Sequence, residues 1–424
     1  LEDLTIEANS GTAEDVSHAV VVRESGVTVQ NNDITGVDGP DAPTIGVGVH
    51  GGTSTDATDV ADVTIEDNTI SDFPVGVAVG QDQDGYGDVT NVDVVDNDIS
   101  SVGTGLAVDS AAENDVTGVA VSENDVDALG YQVIDGVGQF DGQTLVNTNT
   151  FEGAAVLEGS DEIKPDSTEL VIAADIQPAV DVAAENATIS VTEGTYNSAS
   201  IDVEGLTLEG AGADETTIDA GDTRNNIQAD NVTVDALSVV FENQGIYVEG
   251  QADNVTIQNS EFSLPADVES TGYAIRYEGS TSDGEVRNNE FVGITNTQSE
   301  EFGNGVIISG PDGHEVVGNT FDSNSIGVNV GSQQPAGELL VSDNTFTSQD
   351  DFAVALNHDD SESPSITISS NDFDSNPTGV LALSGGDIDI SSNAFTGDSS
   401  TVYVDDQADT FTLSDVLNNQ SNTF

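Results

Sequence analysis

Carboxylates dominate the side chains of this sequence that could do chemistry. The 424 residues include 79 Asp and Glu but 5 Lys and Arg, which gives a formal charge of −74 at pH 7. A pair of carboxyl groups can hydrolyse a glycosidic bond, one as acid and the other as base or nucleophile. Spaced carboxylates can also hold Ca²⁺. Because so many acids form chance pairs, each candidate site has to be judged by its spacing and its non-acidic neighbours.

One loop, residues 82–88, combines three spaced carboxylates with flexible glycines in the sequence DQDGYGD. Asp82, Asp84 and Asp88 could wrap oxygen ligands around Ca²⁺, although the full EF-hand spacing and its terminal Glu are missing. We treat these three residues as a candidate Ca²⁺ site, with a solvated acidic loop as the alternative. No other cofactor is predicted.

The cations do not form a recognisable catalytic group. Arg276 is the best candidate for the base of a polysaccharide lyase, because strand alternation in GYAIRYEG turns it outward. No second Arg or Lys is expected at a matching position in the neighbouring repeats. For a glycoside hydrolase, the nearest motif is Asp312-Gly313-His314, which lacks a basic partner. We therefore predict no catalytic residue and lean against an enzyme.

The histidines are also expected to be inert. Their spacing predicts no metal site, since all four fall on different repeats: His18, His50, His314 and His358. His314 takes the place of an inward apolar residue, so we expect it to be buried with its hydrogen bonds satisfied. Cysteine is absent, which excludes disulfides and cysteine-ligated zinc.

The charge excludes one class of partner and suggests an environment. The five cations are scattered singly, so nucleic-acid binding, which needs clustered cations, is excluded. Self-repulsion at this charge destabilises a compact chain unless molar salt shortens the screening length to about 3 Å. We therefore expect a protein from a halophile. No apolar run is long enough to span a membrane.

The elements that position these residues are repeats. The pattern apolar, any, apolar, any, any, Asn, any, apolar recurs, as in VTIEDNTI at 63–70 and LLVSDNTF at 339–346. Its alternation has the period of two that is typical of strands, and each unit predicts one coil of a solenoid. The predicted fold is all-β: a right-handed parallel β-helix, two in tandem. The repeated asparagines are Asn32, Asn68, Asn97, Asn124, Asn149, Asn289, Asn319, Asn344, Asn371 and Asn393.

We expect these asparagines to stack as a hydrogen-bonded ladder inside the turns. Asn tolerates the left-handed backbone region, and its amide accepts and donates at once. The residue two positions later should point inward and stack along the axis, as for Ile34, Ile70, Phe321 and Phe346.

A second strand in each coil carries one outward residue between two inward ones, and none of these outward residues is acidic. On so acidic a surface, this contact stripe is where we expect another subunit or an uncharged sugar to bind. In the second half the stripe comprises Tyr247, Arg276, Ile307, Asn329, Ala355, Ala382 and Tyr403.

These repeats resemble the parallel β-helix repeat family with the pectin-lyase-like fold, which includes periplasmic nitrous-oxide-maturation proteins, surface proteins, polysaccharide lyases and tailspikes. Residues 176–219 resemble the start of such domains, and the resemblance implies a helical cap at about 176–184. We therefore predict the C-terminal part of a first β-helix at 1–158, a linker at 159–167 and a second β-helix at 168–424.

Composition and repeats together favour an extracellular structural or adhesive protein of the cell surface, from a halophilic archaeon, that assembles into a surface layer or filament. The alternatives are a polysaccharide-active enzyme and a viral tail-spike. Expected partners are further copies or neighbouring domains of the same protein, and glycans. Four sequons predict glycosylation if the protein is exported: Asn186, Asn231, Asn254 and Asn419.

Overall fold

The computed structural model describes residues 1–7, 18–36, 44–52, 58–81, 87–110, 115–158, 170–266, 268, 272–295, 303–310, 312–331, 337–357, 365–383, 387–404 and 421–423. The chain divides into two compact units, Leu1–Ser190 (unit 1) and Val191–Phe424 (unit 2). Each unit is built from parallel strands stacked coil on coil, which is the predicted β-helix.

Unit 2 has three parallel sheets, and each coil contributes one strand to each sheet. The first sheet contains Thr207–Gly210, Thr233–Asp235, Thr256–Gln258, Glu285–Arg287, His314–Val317, Glu338–Ser342, Ser365–Ser369 and Asp387–Ser391. The second contains Gly194–Asn197, Thr216–Gly221, Ser238–Phe241, Glu261–Ser263, Glu290–Val292, Thr320–Asp322, Thr345–Thr347, Asp372–Asp374 and Ala394–Thr396. The third contains Ser200–Ile201, Asn225–Ile227, Gln244–Val248, Tyr273–Tyr277, Asn304–Ile308, Ile326–Val330, Phe352–Leu356, Thr378–Ala382 and Ser400–Val404.

Unit 1 is also built from stacked parallel strands, two of which, Asp98–Ser110 and Asp125–Asp135, are much longer than those of unit 2. Its first sheet contains Thr28–Gln30, Val60–Glu66, Val89–Val95 and Val116–Ser122. The remaining strands are Thr5–Glu7, His18–Val22, Asp33–Thr35, Ile45–Val49, Thr69–Ser71, Val75–Gln81, Asp98–Ser110, Asp125–Asp135, Thr150–Phe151, Ala155–Glu158 and Leu170–Ala173. Leu170–Ala173 pairs antiparallel with both Asp125–Asp135 and Ala155–Glu158.

Two helices are described, Gly142–Thr148 and Ile176–Val182, and strand Thr188–Val191 follows the second. Helix Ile176–Val182 falls inside the segment where the family resemblance implies a cap. The predicted linker, 159–167, lies outside the described residues. The predicted domain limits therefore stay a prediction, beside the division at Ser190 and Val191 in the structure.

Register between coils places like residues on one another. In unit 2, Phe291 pairs with Phe321, and Phe346 pairs with Phe373. Their rings stack with centroids 4.6 to 5.1 Å apart along the series Phe262, Phe291, Phe321, Phe346, Phe373 and Phe395. In unit 1 the same inward position is aliphatic, with Ile34, Ile70 and Ile99 fully buried. The core of each unit is thus a column of stacked apolar side chains.

A residue with positive φ precedes every predicted ladder asparagine except Asn149, which follows helix Gly142–Thr148. Asn31 has φ of 53°, Asp67 of 52° and Asp343 of 57°. The expectation that the ladder asparagines adopt this conformation themselves is wrong. At the other nine rungs the preceding residue, in most cases Asn, Asp or Ser, takes the left-handed conformation and bends the chain, which lets the following amide point into the coil.

Candidate functional site

The predicted asparagines form two hydrogen-bonded ladders, one in each unit. Asn344 is typical: its backbone N–H and its Nδ2 both donate to Asn371 Oδ1, at 2.9 and 3.0 Å. Its own Oδ1 accepts from the backbone N–H and the Nδ2 of Asn319, at 2.8 and 3.0 Å. Nδ2 also donates to the Val316 carbonyl at 2.8 Å. The amide therefore satisfies backbone groups that the turn would otherwise leave unpaired.

The ladders include every predicted rung. In unit 1 they run from Asn32 through Asn68, Asn97 and Asn124 to Asn149. In unit 2 they run from Asn289 through Asn319, Asn344 and Asn371 to Asn393. Ser260, which was not predicted as a rung, and Asn422, which matches the repeat pattern in the sequence, extend the ladder of unit 2 at its two ends.

Unit 2 contains a second ladder that sequence reasoning missed. It occupies the turn between the second and third sheets, where Asn324 N–H donates to Gln349 Oε1 at 3.2 Å and Gln349 N–H donates to Asn376 Oδ1 at 3.0 Å. The last rung is Asp398, whose Oδ1 accepts from Asn376 N–H at 2.7 Å. A signal was present in the sequence: each rung follows an asparagine of the first ladder by five residues.

The contact stripe follows the outward positions of the third sheet of unit 2, with one correction. The register pairs Ala355 with Leu381, and Leu381 with Tyr403. Ala382 is therefore not part of the stripe; it points inward and is fully buried. In the segment GVLAL, residues 379–383, the predicted outward residue was placed one position too late. Period-two alternation turns Leu381 outward instead.

Exposure along the stripe is uneven. Ala355 and Leu381 are covered, because they belong to a small apolar cluster with Ile326. Tyr403 is 52% exposed. Tyr247, Arg276, Ile307 and Asn329 are half-buried. Open contact surface is therefore confined to the two ends of the predicted stripe.

Two of the five cations meet on the outer face of the third sheet of unit 2. Arg224 precedes strand Asn225–Ile227 and lies over the ring of Tyr247, with its Cζ 4.2 Å from the ring centroid. Arg276 pairs with Tyr247 in the register, and its Cζ lies 5.9 Å from the same centroid. The register places Tyr247 and Ile307 at the positions that match Arg276 on the neighbouring coils, so no second cation matches it, as expected. Arg224 approaches Tyr247 from outside the strand.

An open groove of about 680 Å³ runs beside these side chains. We call it the arginine groove. Its lining combines both cations with aromatic, aliphatic and amide groups and one acid: Arg224, Arg276, Tyr273, Ile307, Asn226, Asn243, Gln244 and Asp222.

The polar groups of the arginine groove hold one another in place. Arg224 Nε donates to Asn226 Oδ1 at 2.8 Å, and its Nη1 donates to Gln244 Oε1 at 2.9 Å. Arg276 Nη2 lies 3.5 Å from Glu278 Oε2. Its Nε is buried and has no hydrogen-bond partner among the described residues. The groove therefore contains one guanidinium oriented by hydrogen bonds, Arg224, and a second, Arg276, that lies beside a carboxylate.

Tyr247 stays neutral in this setting. Its hydroxyl donates a hydrogen bond to Glu278. Partial burial, and then this hydrogen bond, raise the pKa of Tyr247 to about 12. Tyr247, which contacts both groove cations, is therefore a phenol and not a phenolate at neutral pH, which makes it a poor general base.

The candidate Ca²⁺ site can be placed only at Asp88, since Asp82 and Asp84 lie outside the described residues. Asp88 Oδ1 accepts from Asp115 N–H at 3.0 Å, and Asp88 N–H donates to Asp59 Oδ1 at 3.1 Å. Asp88 thus belongs to a column of carboxylates on successive coils. Among the described residues, no group of three or more His, Asp or Glu side chains could hold a metal ion.

The histidines differ from one another. His314 is 1% exposed; its Nε2 donates to the Thr281 carbonyl at 3.1 Å and its Nδ1 accepts from Gly284 N–H at 3.0 Å. Burial lowers the pKa of His314. The expectation of a buried, satisfied histidine is confirmed. His358 lies outside the described residues, while His18 and His50, which were not predicted to meet, contact each other on adjacent coils.

Three of the four sequons lie on described residues. Asn186, Asn231 and Asn254 are exposed, with φ between 60° and 63°. Asn254 Nδ2 donates to Asn231 Oδ1 at 3.0 Å, so a glycan on Asn254 would compete with this bond. Asn419 lies outside the described residues. Glycosylation stays a prediction.

Residues 217–395 match the family model of the right handed beta helix region. A search of the curated proteins found no match. The matched segment lies within unit 2, and together with the stacked parallel strands it shows a right-handed parallel β-helix. No helix within the described ranges is long and apolar enough to cross a membrane. The fold is compatible with surface proteins, polysaccharide-active enzymes and tail-spikes, so function has to be argued from the site.

Proposed function

We propose that this chain is an adhesive or structural protein of the cell surface, and that its arginine groove binds a neutral saccharide without cleaving it. The single observation that carries the proposal is the gathering of Arg224 and Arg276 around Tyr247 on adjacent coils. Fixed hydrogen-bond donors beside aromatic rings suit a hydroxyl-rich ligand with apolar faces.

The local charges favour a neutral ligand over an anionic one. Arg276 lies next to Glu278, and Asp222 shares the lining with Arg224. Each cation therefore has a carboxylate nearby, and the groove has no excess of positive charge with which to attract a uronate. The total charge of −74 opposes an anionic polymer further.

Binding without cleavage is favoured because the described lining contains one acid, Asp222, and the nearby Glu278 and Tyr247 are engaged with each other. Glu278 accepts from the Tyr247 hydroxyl and lies beside Arg276. Because the pKa of Tyr247 is raised to about 12, its hydroxyl keeps its proton at neutral pH. A glycosidase needs one free acid and one free base or nucleophile on opposite sides of the bond.

Calorimetry with neutral and uronate oligosaccharides, in about 3 M NaCl, tests this function. The wild type should bind a neutral oligosaccharide, and Arg276→Gln should weaken binding about tenfold or more, because it removes a charged donor. Arg287→Gln is the matched control, since Arg287 is exposed and paired with Glu285 on another sheet. Binding of uronates alone, or release of reducing ends or unsaturated products, would contradict the proposal.

Assembly and habitat belong to the same proposal. Tyr403 is the most exposed aromatic of the stripe and does not line the arginine groove, so Tyr403→Glu should weaken self-association without changing saccharide binding. Sedimentation in molar salt measures the first effect. A halophilic origin predicts that the melting temperature falls strongly between about 3 M and 0.1 M NaCl. An unchanged value would exclude salt adaptation.

A further inference from the structure

A pair of histidines on adjacent coils of unit 1 faces nitrogen to nitrogen. His50 Nε2 lies 2.6 Å from His18 Nε2, and the ring centroids are 4.6 Å apart with the planes at 76°. His50 is 2% exposed, while His18 is half-buried and lies nearer solvent. One edge of the pair is therefore accessible from outside.

The tautomer of His50 is fixed by its other nitrogen. His50 Nδ1 lies 2.7 Å from the Gly80 carbonyl oxygen, which can only accept, so Nδ1 carries the proton. Nε2 of the neutral ring then presents its lone pair toward His18. Burial, and then the neighbouring His18, lower the pKa of His50 to about 4, so this ring is neutral at pH 7. A backbone carbonyl that accepts from one ring nitrogen, with the lone pair on the other, is the arrangement that orients metal-binding imidazoles.

The contact between the two rings requires space beside the backbone of strand Ile45–Val49. Gly48 lies on the strand that leads to His50, at an outward position. A Cβ added there would overlap both His18 Cδ2 and His50 Nε2. The absence of a side chain at position 48 is therefore a condition for the two rings to meet.

We propose that His18 and His50 form a two-histidine site for a divalent transition metal such as Zn²⁺, bound through both Nε2 atoms. Zn–N bonds of about 2.0–2.1 Å at a tetrahedral angle require a nitrogen separation of roughly 3.3 Å. The rings thus have to separate by less than an ångström. His18 moves its proton from Nε2 to Nδ1, so both rings bind as neutral ligands and no net proton is released.

The pair supplies two of the ligands that a metal ion needs. Within the described part of the chain, no third His, Asp or Glu joins the pair, so water or a ligand from another molecule would complete the coordination. Arg23 lies close enough to lower the pKa of His50. Its charge opposes a bound cation in the same way, and we therefore expect moderate affinity.

Zn²⁺ titration of the full chain by calorimetry tests the site. The buffer contains molar NaCl and excess Mg²⁺, so that the many carboxylates are already occupied by hard cations. The wild type should bind one Zn²⁺, and His18→Gln should lose at least about tenfold in affinity, since even outer-shell changes have effects of this size. Arg23→Gln retains both ligands and should bind more tightly than the wild type.

Two further measurements guard against misfolding and nonspecific binding. Circular dichroism of each variant reports whether the strands are retained, and Co²⁺ absorption reports whether nitrogen ligands enter the coordination sphere. Gly48→Ala should reduce binding with both histidines still present. Equal Zn²⁺ affinity of the wild type and folded His18→Gln, or no binding by the folded wild type, would overturn the proposal and leave the pair as a structural hydrogen bond.

Discussion

The two units use the same turn backbone but fill it differently. Four residues after a ladder asparagine, both units place a residue with positive φ: Asp72 at 62° in unit 1 and Ser348 at 55° in unit 2. One residue later, unit 1 buries an apolar side chain at Phe73 and Val102, whereas Leu129 at the matching position is 79% exposed. In unit 2 this position is apolar at Ile294 and polar in the following coils, where it forms the second ladder: Asn324, Gln349, Asn376 and Asp398.

The backbone conformation of the turn and the side chain that occupies its interior are therefore independent features. The left-handed residue recurs in both units, so it shapes the turn, and the next position accepts either an apolar side chain or an amide that bonds to the coil beyond it. Amide hydrogen bonds are directional and link specific coils, whereas apolar packing is not directional. Unit 2, with two ladders and a stack of phenyl rings, therefore has a more strictly specified coil register than unit 1.

The largest expected effect is on the stacked cores. Phe346→Ala in unit 2 should lower the free energy of unfolding by about 3–5 kcal/mol, because a ring buried between Phe321 and Phe373 is lost and a cavity is left. Ile99→Ala is the matched change in unit 1 and should cost less, since it removes a smaller side chain. Denaturant titration in molar salt measures both. An equal or larger loss for Ile99→Ala would break the comparison.

A smaller effect is expected in the ladder that both units share. Asn344→Leu leaves the Asn319 backbone N–H and the Val316 carbonyl without their amide partner, and should cost about 1–3 kcal/mol. Asn97→Leu removes the equivalent bonds to the neighbouring coils in unit 1, together with one to the Val95 carbonyl, and should cost an amount in the same range. A loss found in one unit alone would show that the ladders are not equivalent, and a parent-like stability of both would remove them as a source of stability.

Much of the fold could be predicted from the sequence because it repeats. A period of two around a recurring asparagine determines which side chains face inward, as Ile70 and Phe346 show. The second ladder could also have been found, because NTFDSN at 319–324 and NDFDSN at 371–376 repeat an amide at a fixed distance. It was missed because the residues at the same position in unit 1, such as Phe73, are apolar.

The candidate sites were less predictable, for a geometric reason. His18 and His50 are 32 residues apart, and the length of the intervening turns decides whether they meet. Arg224 does not occupy the stripe, yet its long side chain reaches over Tyr247 from the residue before a strand. Both contacts depend on the path of the chain between strands, which period-two alternation does not determine.

The smallest effect concerns Asp398, the one acid in the second ladder. Oδ2 of Asp398 is buried without a hydrogen-bond partner in the described part of the chain. At the equivalent atom of the preceding rung, Asn376 Nδ2 donates to the Phe346 carbonyl at 3.1 Å. A protonated Asp398 can imitate this donor, whereas a carboxylate cannot. Burial, assisted by the charges of Asp374 and Asp372, raises the pKa of Asp398.

Because the folded chain binds this proton more tightly than the unfolded chain, the contribution of Asp398 to stability is complete below the ordinary pKa of Asp and is lost as pH rises through the raised value. Asp398→Asn should therefore raise the melting temperature at pH 7, and the gain should shrink toward pH 4. Asp389→Asn, on an exposed position of the first sheet, removes one charge without a ladder bond and serves as the control. Thermal melts of both variants at the two pH values measure the difference. If the gain of Asp398→Asn equals that of Asp389→Asn at both, Asp398 contributes only its charge, and the second ladder ends at Asn376.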